Sequence, residues 1–101
     1  MAAKAETQLV NNIKREVQQR YPDTFFFKVH GGPMQQAGIP DLVGCVRGTF
    51  VGMEVKLPEG DYGVTPLQEY TLKRITKAEG VTAVVRSVEQ AVALLQAICD
   101  S

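Results

Sequence analysis

Apolar positions near the start of the chain recur at helical spacing. Leu9, Val10, Ile13 and Val17 fall on one stripe, and Lys14, Arg15, Gln18 and Gln19 fill the other side. The spacing predicts a helix from about residue 4 to residue 20, ended at Tyr21-Pro22-Asp23 because the residue before a proline avoids helical angles. Thr24 to His30 is a β-forming run in which alternation assigns Phe25 and Phe27 to the core. Phe26 then lies on the opposite face, between sheet and helix or in a subunit contact. A flexible loop, Gly31 to Gly38, follows with three glycines and a proline. Asp41 to Val46 and Thr49 to Leu57 read as two strands joined by the two-residue loop Arg47-Gly48. A second mobile loop is expected over Pro58 to Gly63. Thr65-Pro66-Leu67-Gln68 then carries a helix-start signature: a threonine N-cap, a proline at the first helical position and a glutamine that completes a capping box. That helix is expected to run to Glu79 and to stop at Gly80 as a left-handed cap. Val81 to Arg86 is a short strand, and Ser87-Val88-Glu89-Gln90 is a second capping box. The helix it opens carries Val88, Ala91, Val92, Leu95 and Ile98 on one face. The expected fold is a single mixed α/β (α+β) domain over residues 1–101, a small four-stranded mixed sheet flanked by helices in the order αβββαβα. The last strand–helix–strand unit should be a parallel, right-handed crossover.

Composition narrows the class without naming a chemistry. The chain has 101 residues, 45% hydrophobic and 22% charged, which are ordinary globular values for one domain. Eleven basic residues balance 11 acidic ones, so net charge neither favours nor excludes a nucleic-acid partner. No apolar run reaches the roughly 20 residues that cross a bilayer, and the first residues lack a signal-peptide stretch. A cytoplasmic protein with no membrane partner is expected. Cys45 and Cys99 are too few for a disulfide framework, and His30 is the single imidazole, so a metal site would have to use oxygen ligands.

The hairpin places such ligands together. With Arg47-Gly48 as the loop, Val46 pairs with Thr49, and counting back sets Asp41 opposite Glu54, with Cβ atoms about 4.5–5.5 Å apart. Lys56 shares the face of Glu54, while Met53, Val55 and Leu57 point the other way. Two facing carboxylates repel, and one tends to protonate unless a divalent cation relieves the repulsion. Oxygen ligands in this number suit Mg²⁺, which keeps waters for a substrate phosphate. A lysine alongside can orient an attacking water or stabilise charge developing on phosphorus. This is the inventory a phosphodiester hydrolase needs.

The same residues carry a family resemblance. Ile39-Pro40-Asp41 followed by Glu54-Val55-Lys56 resembles the PD-(D/E)xK nuclease signature. The continuation through Gly38-Ile39-Pro40-Asp41-Leu42-Val43-Gly44, Met53-Glu54-Val55-Lys56, Thr65-Pro66-Leu67-Gln68 and Ala78-Glu79-Gly80-Val81 resembles the virus-type replication-repair nuclease (VRR-NUC) domain over nearly the whole chain. The resemblance implies a restriction-endonuclease-like fold. It further implies that Asp41, Glu54 and the backbone carbonyl of Val55 bind Mg²⁺, with Mn²⁺ as a substitute, and that Glu6 reaches the metal directly or through water. Lys56 would be the catalytic lysine, and Gln68 the glutamine near it and the attacked phosphate. Structure-selective cleavage of branched DNA leaving 5′-phosphates, a homodimer like those of Holliday-junction resolvases, and a bacterial or phage-infected host cell are implied as well. A catalytically silent DNA-binding or scaffolding module, or a monomeric flap or nicking nuclease, are the alternatives.

Plainer readings accompany several of these residues. Glu54 and Lys56 by themselves suit a solvated strand face; the opposed Asp41, preceded by proline, sets them apart. Glu6 could complement its helix dipole, yet it shares the stripe of Val10, Ile13 and Val17, which favours a role at the site. Gln68 can be a cap, a site residue or both. His30 reads as a strand-end histidine outside the catalytic set, and Cys45 as a buried structural thiol. Lys73, Arg74 and Lys77, like Lys14 and Arg15, read as solvated helix faces, with DNA-backbone contact the lesser reading for each.

Overall fold

A computed structural model of the chain describes residues 2–30, 37–59 and 63–100. Residues 31–36 of the first expected loop and 60–62 of the second lie outside the described residues. The elements follow the expected order: α1 (Ala2–Arg20), β1 (Phe25–Lys28), β2 (Leu42–Val46), β3 (Thr49–Val55), α2 (Pro66–Lys77), β4 (Val81–Val85) and α3 (Val88–Cys99). The sheet order is β1-β2-β3-β4, antiparallel across β1, β2 and β3 and parallel between β3 and β4. No helix among the described residues is long and apolar enough to cross a membrane.

The β2–β3 hairpin turns as its loop predicts. Arg47 and Gly48 both take positive φ, 51° and 83°, the combination a type I′ turn requires and one whose twist matches the strands it joins. Val46 pairs with Thr49, and the ladder runs to Leu42 opposite Met53. On one face of the sheet Phe26, Leu42, Val46, Val51, Met53, Val55 and Val85 are buried against Val10, Ile13 and Val17 of α1 and Ala91 and Leu95 of α3.

The other face is only partly covered, and here the sequence expectations need correction. Phe26 is the core phenylalanine, 2% exposed, whereas Phe25 and Phe27 are 62% and 49% exposed. The reason is the neighbour: Phe26 lies opposite Gly44, whose missing side chain leaves room for its ring on the face that two helices cover. Cys45 lies opposite Phe25 and is exposed rather than buried, because α2 packs over β4 and stops short of the β1 side of the sheet. Gln90 caps one residue further out than expected. The Ser87 hydroxyl accepts from Gln90 N–H at 3.1 Å, but Gln90 Oε1 accepts from Arg86 N–H at 2.7 Å rather than from Ser87.

The left-handed residue after α2 is Glu79 (φ 72°), not Gly80. The helix ends early in a Schellman arrangement, with Glu79 N–H donating to Thr76 O and Gly80 N–H to Ile75 O, each at 2.9 Å. Gly80 is needed for closeness instead, since a Cβ there would lie 2.7 Å from Ile75 Cγ2.

A methyl at Gly44 would run into the Phe25 carbonyl and come within 2.6 Å of the Phe26 ring. Gly44→Ala should therefore lower stability by about 1–3 kcal/mol through overpacking between β1 and β2. Urea unfolding measures it, and an unchanged midpoint would contradict this packing.

Candidate active site

Asp41 lies one position before β2 and is held from two sides. Its Oδ2 accepts the Val55 N–H at 2.8 Å, and its carbonyl accepts the Val29 N–H at 2.8 Å. The side chain thus takes over the hairpin ladder one step beyond the Leu42–Met53 pair, which sets it beside Glu54 as the register predicts. Buried Pro40 precedes it and packs over Gly52 together with Ile75 of α2.

Glu54 is 2% exposed, a buried carboxyl on the face that α2 partly covers. Gln68 Nε2 donates to its Oε1 at 3.3 Å. Its Oε2 is buried with no hydrogen-bond partner among the described residues. Lys56 follows β3, anchored by its own N–H to Val85 O at 3.0 Å, and its Nζ donates to Gln68 Oε1 at 3.3 Å. The same Gln68 oxygen accepts from Thr65 N–H at 3.0 Å, and Thr65 Oγ1 accepts from Gln68 N–H at 3.1 Å. The cap and the site are therefore one network. The glutamine that starts α2 also bridges the carboxyl of Glu54 and the ammonium of Lys56.

Burial drives the electrostatics. Desolvation, a hydrogen bond shared with the Asp41 carboxyl and the charge of Asp41 together push the Glu54 carboxyl from 4.5 up to about 9, the Lys56 ammonium opposes, and Glu6 adds a further push upward. Without a cation the pair thus holds a proton at neutral pH. Glu6 is close enough for its charge to be felt at Glu54, yet no group of three His, Cys, Asp or Glu residues gathers among the described residues. Of the sequence candidates, Asp41, Glu54, Lys56 and Gln68 are brought together, whereas Glu6 reaches the group through its field. The Val55 contact seen here is its N–H to Asp41. His30 is exposed, and Lys73 pairs with Glu69 at 3.0 Å on the surface of α2.

Sequence reasoning passed over Thr65 as part of the site. Its cap was legible, but its link to Lys56 and Glu54 depends on where α2 docks. Chemically, a buried carboxyl whose second oxygen meets no donor among the described residues, beside a second carboxyl, suits a divalent cation, which would replace the shared proton and relieve the repulsion. Comparison of the chain with family models and with curated proteins gave no match.

The raised carboxyl makes a signed prediction. The unfolded chain releases the Glu54 proton near 4.5 and the folded chain keeps it to about 9. Between those values the unfolded state binds fewer protons, so stability falls as pH rises, by at most about 1.4 kcal/mol per pH unit from this group. In EDTA, urea midpoints of the wild type should drop from mildly acidic to mildly alkaline pH, and Glu54→Gln should flatten that drop. Equal slopes in the two proteins would mean that Glu54 does not hold its proton.

Proposed function

We propose that the chain is a Mg²⁺-dependent endonuclease that hydrolyses phosphodiester bonds in branched DNA, a VRR-NUC-like member of the PD-(D/E)xK nucleases. The observation that carries this reading is the buried Glu54 carboxyl, bridged to Lys56 by the single amide of Gln68 and set beside Asp41, which the Val55 N–H holds, with one Glu54 oxygen that no donor among the described residues reaches. Asp41, Glu54 and the Val55 carbonyl would hold Mg²⁺, with Glu6 reaching it directly or through a water. The cation would supply polarisation of the phosphate and a lowered pKa for a bound water.

The chain's own groups do the rest. Asp41, fixed by the Val55 and Val29 amides, keeps its carboxylate in place without reorganisation during the reaction. The Lys56 ammonium, steered by Gln68 Oε1, orients the attacking water and stabilises charge building on the phosphorus oxygens. In-line attack by water forms the new P–O bond while the bond to the 3′ oxygen breaks. That oxygen takes up a proton and a 5′-phosphate remains. A homodimer with two sites about a two-fold axis would match a four-way junction, in the cytoplasm of a bacterial or phage-infected cell.

Lys56→Ala and Asp41→Asn should each lower cleavage by about 10²–10³-fold or more while folding is retained, and EDTA should stop cutting. The assay is a panel of junction, flap, nicked, single-stranded and linear duplex DNA with and without Mg²⁺, beside sedimentation to read the mass. Full activity in either variant overturns the assigned roles. Junction binding without cutting on any substrate would favour a silent DNA-binding module.

A further inference from the structure

The face that carries the candidate site continues into an aromatic surface that the reaction leaves unused. Register sets three rows across β1, β2 and β3: Phe25–Cys45–Phe50, then Phe27–Val43–Gly52, then the site, where Val29 bonds the Asp41 backbone and Glu54 stands on β3. Phe25, Phe27 and Phe50 are exposed at 62%, 49% and 49%, and the Phe25 and Phe27 rings sit tilted with centroids 6.1 Å apart. A depression of about 540 Å³ runs between Phe27 and Phe50 over Val29, Ile39 and Val43, with Lys28 and His30 at its edge. A second, of about 270 Å³, shares Ile39, Val43 and Phe50 and extends to Thr71, Arg74 and Ile75 of α2. Arg74 lies over the Tyr70 ring, 5.9 Å from its centre. The described lining residues include His30 and Arg74 and no Asp or Glu, while Lys28, paired with Leu42, alternates its side chain onto the Phe26 face.

We infer that this groove receives unpaired nucleotides of the substrate strand, with bases stacked on Phe27 and Phe50 and the backbone led along the Arg74 side. The inference rests on the nuclease reading for the identity of the substrate and adds the part of it that is recognised. Three observations select the occupant. Exposed phenyl rings offer stacking surfaces and no hydrogen bonds, which suits bases of any sequence once they are out of a duplex. One guanidinium, Arg74, is too little to track a duplex backbone, yet no acid stands among the described lining residues, which suits an anionic strand. Phe50 is four residues from Glu54 on one face of β3, about 13 Å away at about 3.3 Å per residue, so a strand crossing the groove leads to the site. A second copy fits less well. A two-fold contact sets a patch against itself, and the Arg74 edge would face its own duplicate with no acid among the described lining residues to meet it.

The test is fluorescence anisotropy with a labelled oligo(dT) in EDTA, where nothing is cut, for wild type, Phe27→Ala, Phe50→Ala and the two tyrosine replacements, with a duplex of equal length as control. Each alanine should raise the oligo(dT) Kd by about tenfold, each tyrosine should keep it near wild type, and the duplex should bind equally in all. Circular dichroism confirms that the alanine variants stay folded. Oligo(dT) binding indifferent to both rings overturns the inference, as does a change of sedimented mass in the alanine variants at unchanged affinity, which would make the face a subunit contact. Failure of the nuclease reading has a different signature. No substrate is cut with Mg²⁺ while oligo(dT) binding still depends on Phe27 and Phe50, and the groove then stands without the chemistry.

Discussion

The register of one tight hairpin governs this molecule. Arg47 and Gly48 adopt the left-handed angles of a two-residue turn, and every pairing from Val46–Thr49 to Leu42–Met53 follows from it. A slip of one residue would send Glu54 and Phe50 into the helix-packed core and turn Met53, Val51 and Val55 outward. Such a slip would bury a charge among Val10, Ile13 and Leu95 and expose three of the largest buried side chains of the sheet. The turn and the core therefore specify the same register. The placement of Asp41 beside Glu54 is a by-product of a constraint that the fold already enforces for packing reasons.

Against that background Glu54 is a carboxyl kept where folding alone would not put one. It is buried, one oxygen finds no donor among the described residues, and a second carboxyl lies next to it, each of which penalises ionisation. Three groups soften the penalty without removing it: the Gln68 amide, the Lys56 ammonium beyond it, and the Val55 N–H that occupies one oxygen of Asp41. A core built for stability would carry an apolar residue or a glutamine there. The residual misfit is the feature on which the proposed cation site rests, and it sets β3 apart more firmly than the residue types alone do.

The sequence was most informative where a local rule has a single geometric solution. Arg47-Gly48 between two β runs and Thr65-Pro66-Leu67-Gln68 ahead of an apolar helix each produced the expected turn or cap, and with them came Asp41, Glu54, Lys56 and Gln68 as neighbours. It misled where the answer depends on which face a helix covers. Alternation put Phe25 and Phe27 on one side and Phe26 on the other, but only the docking of α1 and α3 decides that the single ring is inside, and Cys45 follows its row outward. Helix ends failed for a related reason. Either Glu79 or Gly80 could take the left-handed turn, and the approach of Ile75 to the backbone at position 80 assigned the glycine to closeness and the turn to the glutamate. That Thr65 belongs to the site was invisible, since it requires knowing that the N-terminus of α2 docks beside Lys56.

Helix α2 connects these separate features. Its first turn supplies Gln68 to the carboxyl–ammonium pair, its middle packs Ile75 and Pro40 over Gly52, and Arg74 borders the groove beside Phe50. One rigid element thus spans the site, its support and the adjoining aromatic surface, while α1 and α3 do the same work of burial on the far side of the sheet. This division explains why the two faces of so small a sheet differ in composition. The buried part of the face under α1 and α3 is apolar because it has only to be buried, with Lys28 and Thr49 at its margins. The face under α2 is interrupted by a glycine, two carboxyls and exposed rings, because coverage there stops short of β1 and leaves a surface that continues from the candidate site to the edge of the sheet.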